Sequence, residues 1–191
     1  MARLKKRKYK QALLFFANKI PAEELGKVKL WKLLYFLDFD HYHKHEELIT
    51  GESYSRLPMG PAPRHYDTVV AEMVAAGLVE RDSIPVNASY EDRQIIRPKK
   101  FYDLSVFTEE ERQTLSAVIQ EYGSKSGKEL SALSHDDPPW MLARIGEDLD
   151  PADTWYRYDA ELDEGPDPIA DALKAVNLAQ VLEDHFRKRT E

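Results

Sequence analysis

The sequence predicts an α+β fold that is mainly α: a compact helical domain around a central apolar helix, with a small β-hairpin. The central helix is predicted over residues 27–45, which lack Gly and Pro and are apolar over most of a helical circumference. The hairpin is predicted from two short apolar stretches, 78–81 and 94–97, that flank a polar loop. A chain of 191 residues without an internal linker indicates a single domain over 1–191. A domain of this length buries roughly 70% of its unfolded surface, which is enough for a hydrophobic core.

Start and stop signals define the remaining elements. Pro21 ends the first helix, Gly77 ends a later one, and Thr108 with Glu111 forms a capping box. Gly60 is predicted to adopt a tight-turn conformation that side chains resist, so that Gly60→Val destabilises the domain by roughly 1–3 kcal/mol. The predicted elements are helices over 9–19, 63–76 and 108–122, another from Ser124 or Ser126 to 133, a short one ending near 145, a β-like stretch over 52–57, a third extended segment over 101–106, an acidic loop over 146–167 and an amphipathic helix over 168–188.

Composition excludes several classes of protein. The absence of cysteine excludes disulfides, iron–sulfur clusters, thiolate catalysis and cysteine-ligated zinc. No apolar run approaches the roughly 18 residues of a membrane span, and the run over 12–17 is too short for a signal peptide. Glycine-rich phosphate loops and cofactor fingerprints are absent as well. We therefore expect a cytoplasmic protein that needs no cofactor and has no membrane partner.

Two polar clusters are candidates for a metal or catalytic site. Asp38, His41 and His45 share one helical side at i, i+3 and i+7, a spacing suited to a metal, but no fourth ligand accompanies them. We interpret His41 as a hydrogen-bonded core residue. Asp38 is interpreted as a partly buried structural anchor, whose candidate partners are a backbone turn or an arginine such as Arg64.

The second cluster is Ser134, His135 and Asp136. Three consecutive residues cannot aim at one reacting atom as a catalytic triad does, and no nucleophile elbow is present. We predict instead that His135 fixes the turn that leads into Trp140, and that Trp140 lies in the core.

An ordered set of motifs connects the chain to a known family. The set comprises Lys32-Leu33-Leu34-Tyr35-Phe36-Leu37-Asp38-Phe39, Ile49-Thr50-Gly51, Tyr54, Gly60-Pro61 before a helix, Leu130-Ser131, Ser134-His135 and Pro139-Trp140. In this order, over roughly residues 10–145, the chain resembles the Panacea domain, the SocA-like antitoxin family of bacterial and phage toxin–antitoxin systems. It departs from the family's Gly-Pro-Val at Ala62, and residues 146–191 lie outside the shared region.

The resemblance implies a non-enzymatic antitoxin that binds and neutralises a cognate toxin protein, usually encoded beside it. Neutralisation by direct occlusion of the toxin and by delivery to a protease or chaperone both remain open. The family-motif residues, with a structural or partner-binding role, are Leu34, Tyr35, Asp38, Gly51, Tyr54, Gly60, Pro61, His135 and Trp140.

Charge is distributed unevenly around the net −7. Residues 1–32 carry ten Lys or Arg against two Glu, whereas residues 136–171 carry twelve Asp or Glu against two Arg. In the acidic segment, Trp155, Tyr156 and Tyr158 are candidate partner-binding residues, because aromatic anchors amid charge resemble interface hot spots. The alternative interpretation of this segment is a solubilising loop.

A winged-helix DNA-binding regulator is the alternative function. In that interpretation residues 64–76 form the recognition helix and the 82–93 loop is the wing. The helix carries only Arg64 and His65 as positive candidates, however, and the chain as a whole is acidic. DNA is therefore the less favoured partner, whether or not the basic N-terminus touches phosphates.

Overall fold

The computed structural model describes residues 3–85 and 92–157. Its helices are α1 (Lys6–Lys19), α2 (Lys27–His45), α3 (Tyr66–Ala75), α4 (Glu109–Tyr122), α5 (Gly127–His135) and α6 (Pro138–Leu142), with 3-10 turns at Leu104–Val106 and Pro151–Tyr156. Its strands form two antiparallel hairpins, β1 (Tyr54–Leu57) with β2 (Gly60–Pro63), and β3 (Val79–Ile84) with β4 (Arg93–Pro98). The described part of the chain is thus α+β and mainly α, as predicted.

The helix α2 occupies the centre of the core. Its residues Leu33 to Leu37 are buried in succession, so that every side of the helix is covered. The elements that pack against it include α1, α4, α5, β2, β4 and the second 3-10 turn. A helix that is apolar all round is stable only where other elements enclose it. The prediction of a central apolar helix is confirmed.

The β1–β2 hairpin corrects one sequence prediction. Leu57 pairs with Gly60, so the strands are joined by Pro58 and Met59 alone. The helix predicted from about residue 63 begins at Tyr66, and the β1–β2 hairpin is present in addition to the predicted one. Residues that precede a proline avoid the helical region, which keeps the Gly-Pro-Ala-Pro run of β2 extended and free to pair with β1.

A third backbone segment lies along the other edge of β1. The Arg56 N–H donates to Glu147 O at 2.8 Å, and the Gly146 N–H donates to Arg56 O at 2.8 Å. Leu149 N–H donates to Tyr54 O at the same distance. The start of the predicted acidic loop is therefore paired with the hairpin.

The local signals elsewhere are mostly confirmed. Capping boxes begin α4 at Thr108 and α5 at Ser126, which chooses between the two serines considered. The β3–β4 hairpin is present, with strands longer than predicted. The third extended segment was wrong: the Asp103 carboxylate accepts a hydrogen bond from Ser105 N–H and starts a 3-10 turn there. The predicted helix over 168–188 lies outside the described residues, and no helix among those described is long and apolar enough to span a membrane.

Candidate functional site

Asp38 holds the loop that joins α2 to β1. Its fully buried carboxylate accepts hydrogen bonds from the Thr50 backbone N–H at 2.7 Å, from the Thr50 hydroxyl, and from the Tyr54 hydroxyl at 2.8 Å. Gly51 follows with a φ of +67°, a conformation that allows the chain to turn toward β1. Burial raises the pKa of Asp38 to about 6, although the hydrogen bonds from Thr50 and Tyr54 act in the opposite direction. The arrangement is that of a structural anchor.

The other two members of the metal-like spacing have separate partners. His41 Nδ1 lies 2.8 Å from the Thr114 hydroxyl, and the His41 ring stacks on His45 with centroids 4.4 Å apart. Burial lowers the pKa of His41 to about 4. Within the described part of the chain, no three His, Cys, Asp or Glu side chains are grouped so that they could hold a metal ion. His41 is a hydrogen-bonded interior residue.

Two carboxylates that the sequence interpretation missed fix the start of α3. Buried Glu52 accepts a hydrogen bond from the His65 backbone N–H at 3.0 Å and lies 2.6 Å from His65 Nδ1. Arg64 donates to Asp148 at 2.5 Å. Of the two candidate partners of Asp38, the structure has the backbone turn at Thr50 and not Arg64, because donors from the loop directly after α2 already occupy the Asp38 oxygens.

A polar cluster ties the second 3-10 turn to α2. The Tyr35 hydroxyl donates to Asp137 at 2.7 Å, and Arg157 donates to both Asp137 oxygens at 2.8 and 2.6 Å. A third guanidinium nitrogen donates to Asp40 at 2.9 Å. Burial raises the pKa of Asp40 to about 6, against the lowering effect of Arg157. A lone arginine in an acidic segment gave no sequence signal of this role.

Lys32 is buried beneath the hairpin turn. Its ammonium donates to the Pro61 carbonyl at 2.8 Å, and burial lowers its pKa to about 7. Gly60 has a φ of +92°, and a Cβ atom at that position would lie 2.6 Å from Ser134 Oγ and 2.8 Å from Lys32 Nζ. The predicted Gly60 turn is confirmed, and its glycine is required both by the backbone and by the packing of Lys32.

A three-layered stack lies at the junction of β1, α5 and α6. The His135 ring stacks on Trp140 with centroids 4.2 Å apart, and the Arg56 guanidinium lies 4.0 Å from the Trp140 ring centre. Trp140 Nε1 donates to Leu57 O at 3.3 Å. Trp140 was predicted to lie in the core. It is instead half-buried and packs against the outside of the core. His135 does pack on the tryptophan that follows its turn.

Several exposed aliphatic side chains lie on the segments that form this stack or pack beside it. The segments that carry them are tied together: Arg56 donates to the carbonyls of Met141 and Ala143, and Ser131 donates to Met59 O at 3.2 Å. We call this surface the apolar tip, and its exposed members are Leu57, Met59, Leu133, Met141, Leu142 and Ile145.

A second exposed surface follows along the second 3-10 turn. Trp155 and Tyr156 are 55% and 73% exposed. The neighbouring carboxylates are Asp150, which caps the turn, and Asp153, whose pKa is raised by partial burial and by the proximity of Asp150. Arg157 does not neutralise them, because its guanidinium is turned inward to other carboxylates. We call Asp150, Asp153, Trp155 and Tyr156 the acidic edge; Tyr158 lies outside the described residues.

The basic N-terminal residues are largely neutralised within the fold. Lys6 and Lys10 bind Glu72 of α3 at 2.6 and 2.8 Å, and Lys8 binds Glu111 of α4 at 2.6 Å. These ion pairs occupy cations that a DNA-binding surface would present to phosphates. Glu72, the carboxylate that pairs with Lys6 and Lys10, lies on the helix that the winged-helix interpretation assigns to the DNA groove.

The comparison with family models decides the family. The model described as "Antitoxin SocA-like, Panacea domain" matches residues 30–141, more than half of the chain. The protein is a member of the SocA-like antitoxin family. No curated protein and no solved structure matches the chain significantly.

The Panacea region of this SocA-like protein comprises α2 to α6. Its motif residues divide into two groups by exposure. The buried group consists of Leu34, Tyr35, Asp38, Gly51, Tyr54, Gly60 and Pro61. His135 and Trp140 reach the surface at the apolar tip. The acidic edge lies beyond the matched region.

Proposed function

We propose that this protein is an antitoxin that binds and neutralises a cognate toxin protein in a bacterial or phage toxin–antitoxin system. Membership of the SocA-like antitoxin family over residues 30–141 is the observation that carries the proposal. The motif carboxylate fits this role, since Asp38 is occupied by loop donors and does not face a cleft. We propose a binding protein of the cytoplasm that is not an enzyme.

The buried motif residues act, in this proposal, as a frame for exposed binding surfaces. Asp38 and Tyr54 fix the loop after α2, and Gly60 lets the β1–β2 turn close over Lys32. A rigid frame reduces the entropy that an interface loses on binding. The acidic edge, with Tyr158 beyond it, contacts the toxin, because exposed aromatic side chains in a charged surround provide both an anchor and electrostatic steering.

The test is co-expression with the neighbouring open reading frame. The neighbour alone should arrest growth, and this protein should restore it. A catalytically inactive neighbour should then co-purify with this protein at a defined ratio. A neighbour that is harmless alone, or that still arrests growth beside this protein, would refute the assignment for that pair.

Toxin abundance separates the two modes of neutralisation. In pulse-chase labelling, occlusion leaves the toxin stable in the bound complex. Delivery to a protease shortens the toxin half-life only when this protein is present, and that effect disappears in a protease-deficient host.

DNA binding is tested on the same protein. The regulator hypothesis requires promoter binding whose affinity falls steeply with salt, by about one unit of logarithmic slope for each phosphate contact. The ion pairs of Lys6 and Lys10 with Glu72 argue against such binding. Tight promoter binding that weakens steeply with salt, without affinity for the neighbouring gene product, would favour the DNA-binding regulator over the antitoxin.

A further inference from the structure

The apolar tip gathers several exposed aliphatic side chains on segments that pack together. Met59 and Ile145 are 63% and 62% exposed, and Met141 and Leu142 are more than half exposed. Hydrogen bonds from Arg56 and Ser131 bring the segments that carry these side chains together. Exposed apolar side chains on neighbouring segments indicate an interaction site. Methionine and leucine side chains also adapt readily to the shape of a partner.

The stack at the centre of the tip carries uncompensated positive charge. Arg56 makes no ion pair with any described carboxylate, and its hydrogen bonds go to the Met141 and Ala143 carbonyls. Its Nε, like His135 Nε2, is buried without a hydrogen-bond partner in the described structure. Lys32 lies close beneath and is likewise unpaired with any described carboxylate. Burial, Lys32 and Arg56 together lower the pKa of His135, against the raising effect of Asp136.

We propose that the apolar tip is the docking surface for a segment of the partner protein that presents aliphatic side chains around one carboxylate. The inference rests on the proposed function in so far as that partner is the toxin. The aliphatic side chains would cover Met59, Met141 and Ile145. The carboxylate, from an Asp, a Glu or a chain terminus, would pair with Arg56 in the centre.

The charge of the tip selects this occupant over others. An apolar partner that covers Arg56 without a carboxylate would desolvate a guanidinium and leave it uncompensated, which is unfavourable. A planar guanidinium held against a tryptophan is well oriented for a carboxylate. In a symmetric dimer through the tip, two Arg56 side chains would face each other. A nucleic acid would supply anions but would leave the aliphatic side chains without an apolar contact.

Binding measurements with the inactive toxin test the surface. Met59→Ser and Ile145→Ser alter exposed side chains and should leave the protein folded, yet each should weaken toxin binding at least tenfold. Phe101→Ser is the matched control, since Phe101 is exposed outside the tip. Affinities within twofold of the parent for both tip variants would overturn the proposal, even if co-expression still restores growth.

The carboxylate is tested with Arg56→Met, which keeps an aliphatic stem over Trp140 and removes the charge. It should weaken binding at least tenfold, and Arg112→Met on α4 is the control for losing one surface cation. Because Arg56 also bonds two carbonyls, folding of the variant is verified by its unfolding midpoint. If Arg56→Met is unstable, Arg56→Gln replaces it, and the same loss of at least tenfold is expected because the glutamine keeps a hydrogen-bond donor but carries no charge.

A toxin-independent assay separates this inference from the proposed function. A phage-displayed library of random 12-residue peptides is selected on the full chain. The expected peptides combine Leu, Ile, Val or Met with Asp or Glu, and they lose binding to Met59→Ser but not to Phe101→Ser. Selection of basic peptides, of peptides insensitive to Met59→Ser, or of none, would overturn the proposal. So would sedimentation that shows a dimer abolished by Ile145→Ser.

Discussion

Substitution of Gly60 tests whether the β1–β2 turn is held by backbone conformation alone or also by the packing beneath it. At a φ of +92°, an alanine is strained by about 1–2 kcal/mol because its Cβ crowds the following carbonyl. The new Cβ would also lie 2.6 Å from Ser134 Oγ and 2.8 Å from Lys32 Nζ. Both side chains must move, and neither has solvent to move into, since both are buried.

The second contribution is the hydrogen bond from Lys32. Displacing its ammonium lengthens the 2.8 Å bond to the Pro61 carbonyl, and a hydrogen bond from a charged group contributes about 1.5–3 kcal/mol. We therefore expect Gly60→Ala to lower the free energy of unfolding by about 3 kcal/mol or more. Gly60→Val should lower the free energy of unfolding by more than Gly60→Ala does.

Gly146 supplies a matched control. It has a φ of +87°, nearly that of Gly60, but nothing lies within 4 Å of where its Cβ would be. Gly146→Ala should therefore show the backbone strain alone, about 1–2 kcal/mol. Urea unfolding with a common m-value measures both variants. A difference between them below about 0.5 kcal/mol would refute the claim that the buried lysine makes this glycine necessary.

Three further predictions follow from the buried and exposed charges. Asp38→Ala should lower the free energy of unfolding by at least about 3 kcal/mol, because it leaves the buried Thr50 and Tyr54 donors without an acceptor. A loss below about 1 kcal/mol in urea unfolding would contradict the anchor role. The pKa of Lys32 is about 7 in the folded protein and 10.5 as its ordinary value, so the unfolded chain binds this proton more tightly. The free energy of unfolding should therefore rise with pH between those two values, by up to about 1.4 kcal/mol per pH unit. Urea unfolding at pH 7 and pH 9.5 should show this rise in the parent and lose it in Lys32→Met; an equal slope in both would contradict it. Reversing Asp153 of the acidic edge to lysine should slow toxin association at low salt while shifting stability by less than about 0.5 kcal/mol; stopped-flow rates that do not change would exclude the acidic edge as a steering surface.

Local sequence signals were sufficient for the helices. The capping boxes at Thr108 and Ser126 satisfy backbone donors within a few residues, so their effect does not depend on the rest of the fold. The all-round apolar character of residues 27–45 likewise predicted that α2 would be enclosed, whatever encloses it. The left-handed turn at Gly60 was predictable for the same reason, since glycine relieves the strain locally.

Long-range pairing was not predictable in this way. The position of Asp38 in a buried helix predicts only that its carboxylate needs a hydrogen-bond donor. Its donors are Thr50 and Tyr54 and not Arg64, because the loop after α2 folds back over the carboxylate. The pairing of residues 146–149 with β1, and of Arg157 with Asp40, joins segments about 90 to 117 residues apart.

By itself, the sequence determined the fold class, the central helix, the capped starts of α4 and α5, and the motifs that identify the family. The tertiary structure alone decided the second hairpin, the partners of the buried charges and the two exposed surfaces. The physical reason is range. Propensity, capping and periodicity act over a few residues, whereas a surface such as the apolar tip exists only after β1 has packed against α5 and α6, which lie far from it in the sequence.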